Sequence, residues 1–266
     1  MKKIEKCLVH FASGLVLILA TACTQTQMAV KGKLLFKDDF ETPTTYTAKP
    51  QAVAEGWTVQ IAHSNWKQTS DGVQSVWKGG HMPVLQFDSA HPLGDIVVEV
   101  EFRFHKDPTA TGTGQGNQGN QGAACRISPT NPKLDPTGYA ASIWANLDSM
   151  DRKPGLVLEH DEWKKDGIVT VDLKLVKLEP DTWYPVTMEL IGNKVFATAN
   201  GVTVYGSHEM FGMPKTTIAL GSGYCVHDFR HFRVYEATPN PKWAPPTAEK
   251  ASEGAKPQTP AVQKQQ

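Results

Sequence analysis

Residues 95–105 read Asp-Ile-Val-Val-Glu-Val-Glu-Phe-Arg-Phe-His. On an extended chain Ile96, Val98, Val100, Phe102 and Phe104 point one way, and Val97, Glu99, Glu101, Arg103 and His105 the other. Side chains of a strand alternate, so this period of two predicts a strand with one face in a core and one in water. Working outward, the pattern recurs at 33–40, 56–61, 73–77, 84–87, 123–128, 139–146, 156–160 and 168–178. It continues at 184–191, 194–199, 202–205, 217–221 and 228–236, with turn residues between the runs. No helical period competes with it, and the chain is expected to be all-β and antiparallel, with more strand than an immunoglobulin-type sandwich needs. Gly192-Asn193 and Asn200-Gly201 are read as two-residue hairpins, because these residue types tolerate positive φ.

The segment ahead of the strands has the parts of an export signal that stops at a cysteine. Lys2, Lys3 and Lys6 precede an apolar run at 8–19, too short to span a bilayer comfortably, and the small residues Ala20, Thr21 and Ala22 lead to Cys23. This site is similar to the lipobox of bacterial lipoproteins, which implies lipidation of Cys23 and a membrane-anchored place in the cell envelope. The alternative is an ordinary secretory signal cut after Ala22; both put the protein outside the cytoplasm. Residues 1–22 are thus read as signal, 23–32 as a polar tether and 33–237 as the folded domain. Residues 111–122, Thr-Gly-Thr-Gly-Gln-Gly-Asn-Gln-Gly-Asn-Gln-Gly, hold no apolar residue and are expected to be a mobile loop; 238–266, rich in Pro, Ala, Lys and Gln, is expected to be a disordered tail.

Residues 1–22 hold Lys2, Lys3, Lys6 and Glu5, so losing them takes the 27 basic and 27 acidic residues to 24 and 26, a net charge of −2. That balance argues against nucleic acid or an anionic membrane surface as the main partner. Beyond Cys7 in the signal and Cys23, the remaining cysteines are Cys125 and Cys225. In an oxidising compartment they would form a disulfide; otherwise they are two separate buried thiols, and both readings stand.

Several segments together carry a family resemblance: Leu34-Leu35-Phe36-Lys37-Asp38-Asp39-Phe40 ahead of Trp57, the strand at 97–104, and Gly138-Tyr139-Ala140-Ala141-Ser142-Ile143. To these add Trp183-Tyr184, Ile191-Gly192-Asn193, Asn200-Gly201 and the closing Asp228-Phe229-Arg230-His231-Phe232-Arg233-Val234. Their order resembles the concanavalin A-like lectin/glucanase superfamily and, within it, the 3-keto-disaccharide hydrolase-like domains of exported bacterial proteins. The resemblance implies a jelly-roll β-sandwich and a carbohydrate partner. The chain also departs from the family pattern: Ala140 and Ser142 stand where glutamate and glutamine are usual, His231 replaces an asparagine, and Gly122-Ala123-Ala124 replaces Asn-Ser-Gly, although Arg126 keeps the following arginine. Hydrolase or lyase activity on keto-sugars or glucans therefore does not carry over with the fold.

On strand 139–146 Ser142, Trp144 and Asn146 share a face, so Trp144 is read as a sugar platform with Arg126, Asn146, Arg230, Glu159 and Asp161 as polar contacts. Glu159 and Asp161 are in phase, as paired acid and base carboxylates must be, but Trp163 takes the third place of the glucanase pattern, while His160 and Glu162 occupy positions that should be apolar. His227 and His231 would share a strand face, which makes His231 a further acid/base candidate. No cofactor is expected. Calcium, which pins loops in some jelly rolls, would involve Asp38 or Asp228, but no dense carboxylate loop accompanies them. The ranking that follows is a carbohydrate-binding lipoprotein first, a glycoside-active enzyme second and a structural or interaction domain third.

Overall fold

The computed structural model describes residues 27–42, 44–63, 65–76, 83–105, 123–133, 139–146, 155–162, 167–223 and 226–246. The strand at 95–105 is β7 (Ile96–Phe104), and it lies mid-sheet between β12 (Tyr184–Ile191) and β16 (His227–Pro239). Beyond β12 come β13 (Lys194–Ala199) and the edge strand β14 (Val202–Ser207); beyond β16 come β5 (Gly72–Val76) and β4 (Asn65–Thr69), with β1 (Ala29–Asp38) also on β16. The second sheet runs β11 (Gly167–Lys174), β10 (Gly155–Glu162), β9 (Tyr139–Asn146), β8 (Ala123–Thr130), β15 (Lys215–Gly221), β6 (Val84–Leu93), β3 (Trp57–His63) and β2 (Gln51–Ala54). Every pairing between described strands is antiparallel, and long crossovers such as β7 to β12 and β6 to β15 make it a jelly-roll sandwich of the concanavalin A-like kind.

The alternation places the core as expected: Ile96, Val98, Val100, Phe102 and Phe104 are all buried between the sheets. Across the interior Phe87 packs on Phe232 with ring centroids 4.6 Å apart, and Phe36 stacks on Trp57 at 4.8 Å. On the outer face of β7, Glu99 pairs with Lys31 and Glu101 with Arg230. The Asn200-Gly201 hairpin has positive φ at both positions, 46° and 75°, the geometry whose twist matches that of the flanking strands.

Several boundaries differ from the sequence reading. β1 starts at Ala29, inside the stretch read as tether, because Met28 and Ala29 are buried and the Ala29 amide donates to Glu189 Oε2 at 2.7 Å. β16 runs on to Pro239, pairing it with Ala29, and the chain then turns back, with Trp243 against Tyr205 (5.3 Å) and Phe196 (6.2 Å). Residues 240–246 thus lie partly on the sandwich in the span read as a disordered tail; Phe196, on the outer face of β13, is 1% exposed beside that ring. β11 stops at Lys174, short of the expected 178. β2 and β4 were not anticipated: Asn65–Thr69 directs only Trp66 into the core, too little apolar signal to read as a strand. The loop read at 111–122 lies outside the described residues, as do residues 1–26 and 247–266.

Candidate functional site

The outward face of the second sheet is assembled by register. Ser142 on β9 is opposite Glu159 on β10, and Arg126 on β8 is opposite both Trp144 on β9 and Gly221 on β15. Since cross-strand partners share a face, Arg126, Ser142, Trp144 and Glu159 are brought together as expected. The β10–β11 register keeps Asp161 in phase with Glu159 (Thr170 and Ile168 are their partners), while His160 turns to the interior. There His160 stacks on His208 with ring centroids 3.8 Å apart and meets the edge of Phe211, so aromatic packing fills the position expected to be apolar.

At the centre the Arg126 Nε–H is shared between Ser128 Oγ at 2.5 Å and Ser142 Oγ at 3.2 Å, and the two hydroxyls lie 2.9 Å from each other. The Arg126 guanidinium sits over the Trp144 ring, 4.5 Å from its centroid. Trp144 is only 3% exposed and packs with Val157, so it is not the open platform that the sequence suggested. The indole supports the guanidinium, and the half-buried Arg126 is what reaches the surface. Gly221 makes room for it: a Cβ there would lie 3.2 Å from Arg126 Cβ and 3.3 Å from its Cδ. Ser128 and Ser142, which hold it, are buried, as are Glu159, the cross-strand partner of Ser142, and Asp161, two residues further along β10. Ser128 was missed in the sequence, since a lone serine in an alternating strand looks like any solvated position.

From Ser128 the row continues to Ala219 on β15, then Gln86 on β6 and Gln60 on β3, one polar or small residue per strand. With Ser142 and Glu159 it crosses six strands, from β3 to β10. None of Gln60, Gln86 or Ala219 was singled out in the sequence, because their significance lies in strand order, which joins segments far apart in the chain.

The predicted contact Arg230 and the acid/base candidate His231 are elsewhere. Arg230 and His231 lie on β16 of the other sheet: Arg230 Nε donates to Glu101 Oε2 at 2.6 Å and its guanidinium stacks on Trp183 at 4.0 Å. His231 sits in a bulge with φ 54°, at the point where the edge partner of β16 changes from β5 to β1. The bulge breaks the phase with His227, which is fully buried beside Phe104, so the two histidines do not share a face. His231 Nδ1 is 2.9 Å from Asp39 Oδ1; that bond, together with Arg233, holds Asp39 below the usual carboxylate range.

Asp228, considered for calcium, is buried and accepts from Arg103, His105 and Gln74. Burial opposes its charge, but these bonds prevail and keep its pKa below the ordinary value. Asp38 accepts from the Phe40 amide, and no metal-holding group of three or more ligands occurs among the described residues. Cys125 is a free, fully buried thiol, pushed up in pKa by burial, in place of the disulfide considered with Cys225; Cys225 lies outside the described residues, as do the Asn146 and Glu162 side chains.

Fold and register together define a jelly-roll sandwich with a polar outward face on one sheet, centred on an arginine held by two hydroxyls and an indole. The chain belongs to the family of 3-keto-alpha-glucoside-1,2-lyase-like domains, whose pattern it matches over residues 47–235. No curated protein matches its sequence. Among solved structures it is similar to carbohydrate binding module CBM66 from Bacillus subtilis, with a TM-score of 0.49 and 12% identity over 68% of this chain and 95% of that one. A protein of unknown function with a galectin-like fold, also from Bacillus subtilis, has a TM-score of 0.46 and 12% identity over 80% of this chain and all of that one. CG-16, a homodimeric agglutinin from chicken liver, has a TM-score of 0.41 and 10% identity over 57% and 98%.

Proposed function

We propose that this chain is an exported, lipid-anchored domain that binds α-glucosides at the cell envelope on the outward face of its second sheet. The observation that carries the reading is the Arg126 site: a guanidinium fixed by Ser128, Ser142 and Trp144 in the middle of a row of polar and small side chains. Such a group arrives preorganised, so little side-chain entropy is lost when a hydroxyl or ring oxygen accepts from it. Membership of the 3-keto-alpha-glucoside-1,2-lyase-like family supports an α-glucoside as the ligand class. The residues at the family's usual glutamate and glutamine positions, Ala140 and Ser142, bring no carboxylate or amide, which favours binding over turnover.

The test is calorimetric titration of the mature protein with α-glucosides and their 3-keto derivatives. Arg126→Ala is expected to weaken binding at least tenfold, or about 1.4 kcal/mol, with near-ultraviolet dichroism unchanged. An affinity that ignores this substitution sinks the proposal. A second reading, a lyase or hydrolase, draws on Glu159 and Asp161, two buried carboxylates in phase on β10, of which Glu159 is the cross-strand partner of Ser142; turnover of a 3-keto-glucoside that Glu159→Gln abolishes would select it.

A further inference from the structure

The open end of the polar row carries an array that the Arg126 site does not use. Asp88 on β6 accepts three hydrogen bonds: Oδ1 from Gln86 Nε2 at 2.9 Å and from Thr217 Oγ1 at 2.6 Å, and Oδ2 from Gln60 Nε2 at 3.1 Å. Register explains the cluster, since Gln60 faces Gln86 across β3 and β6 while Asp88 faces Thr217 across β6 and β15. Gln60, Gln86 and Asp88 are half-buried, in contrast to the buried Ser142 and Glu159 at the other end. Among the described residues no cation pairs with Asp88, so its three neutral donors fix the carboxylate without cancelling its charge.

Each glutamine gives one amide N–H to Asp88 and keeps a second N–H and a carbonyl oxygen. Two planar amides beside a carboxylate therefore present donors and acceptors side by side on rotamers already locked to one another. Adjacent hydroxyls of a pyranose are complementary to such a surface, because each hydroxyl both donates and accepts. The uncancelled Asp88 charge disfavours an anionic sugar at this end. Between the array and Arg126 lie Ala219 and Gly221 of β15, whose side chains are a methyl group and a hydrogen, so among the described residues that strand puts only short groups in the path. Strands lie about 4.8 Å apart, which puts the backbone of β6 roughly 10 Å from that of β8 and roughly 14 Å from that of β9.

We propose that Gln60, Gln86, Asp88 and Thr217 form a second sugar subsite for vicinal hydroxyls of a neutral pyranose. The face then binds an oligosaccharide laid across the strands, from β3 and β6 to Arg126 on β8. The inference rests on the glycan-binding reading above and extends it from a single residue to a chain.

Titration of the mature protein with malto-, kojio- and laminari-oligosaccharides of graded length, from the monosaccharide upward, tests it. In at least one series affinity rises tenfold or more on going beyond the disaccharide. The Gln60→Ala/Gln86→Ala double variant loses that rise, so that its affinities for long and short chains converge. Asp88→Asn, which keeps shape but replaces an acceptor with a donor, flattens the length dependence as well and serves if the double variant does not fold. Arg126→Ala weakens every length. Equal wild-type affinity at all lengths, or a length dependence that survives both subsite variants, overturns the second subsite while leaving the Arg126 reading in place. Wild-type protein that binds no member of the three series overturns the second subsite, and one that also binds no 3-keto-glucoside overturns both.

Discussion

At the scale of single residues, Arg126 shows how neighbours fix a flexible side chain. Its Nε is held by two hydroxyls and its plane by Trp144, contacts that lower the number of rotamers left to lose on binding. Gly221 is the silent partner in this arrangement, because any side chain there meets Arg126. Gly221→Val is therefore expected to lift the guanidinium off the indole and reduce α-glucoside affinity about tenfold, with a stability loss of roughly 1–3 kcal/mol from overpacking. Retained affinity in that variant, measured by calorimetry beside its urea midpoint, would show that the guanidinium position does not matter. Arg126 and Ser142 were legible in the sequence; the reversed roles of Trp144 and Arg126 were not, because exposure depends on what packs around β9 and alternation gives only the face.

At the scale of elements, β1 is attached at its start by an unusual group. Glu189 on β12 is 2% exposed and accepts from the Ala29 amide, and burial pushes its carboxyl pKa up to about 7 despite the backbone N–H groups of Ala29 and Met28. A carboxyl whose pKa is raised on folding favours the native state most below its unfolded value of 4.5, and that contribution declines as pH rises to about 7. At 1.36 kcal/mol per unit, the difference is of order 3 kcal/mol. Glu189→Gln removes this titration, so its stability relative to wild type should improve between pH 4.5 and pH 7. Chemical denaturation of both proteins at several pH values checks this, and parallel pH profiles for the two would contradict it. The same β1–β12 contact explains why the fold begins before residue 33: Met28 and Ala29 look like polar-tether continuation in the sequence until β12 supplies a surface for them. A comparable device closes the far edge of the first sheet, where the Tyr205 amide of β14 donates to Asp172 Oδ2 of β11 at 3.0 Å.

At the scale of the whole molecule, the two ends of the described chain lie together. Asn240 Nδ2 donates to the Gln27 carbonyl at 2.8 Å, and the Asn240 amide to the Met28 carbonyl at 2.9 Å. With Cys23 four residues before Gln27, a lipid anchor would hold this pole within roughly 15 Å of the membrane surface, since an extended residue spans at most about 3.6 Å. Detergent phase partitioning examines the anchor: the wild-type protein is expected in the detergent phase and Cys23→Ser in the aqueous phase. Recovery of both in the aqueous phase would leave secretion as the address.

The sequence by itself determined the antiparallel all-β class, most of the strands, the Asn-Gly hairpin and the phase within each strand that pairs Ser142 with Trp144 and Glu159 with Asp161. These are local quantities, set by a side-chain period of two and by the φ preferences of turn residues. Only the tertiary structure decided that Arg230 and His231 belong to the opposite sheet, that His227 and His231 are out of phase, and that Gln60, Gln86, Asp88 and Thr217 stand beside the Arg126 row. The physical reason is that strand order and bulges are fixed by packing two sheets against one another. Residues distant in the chain become neighbours through that packing, and no local pattern records it.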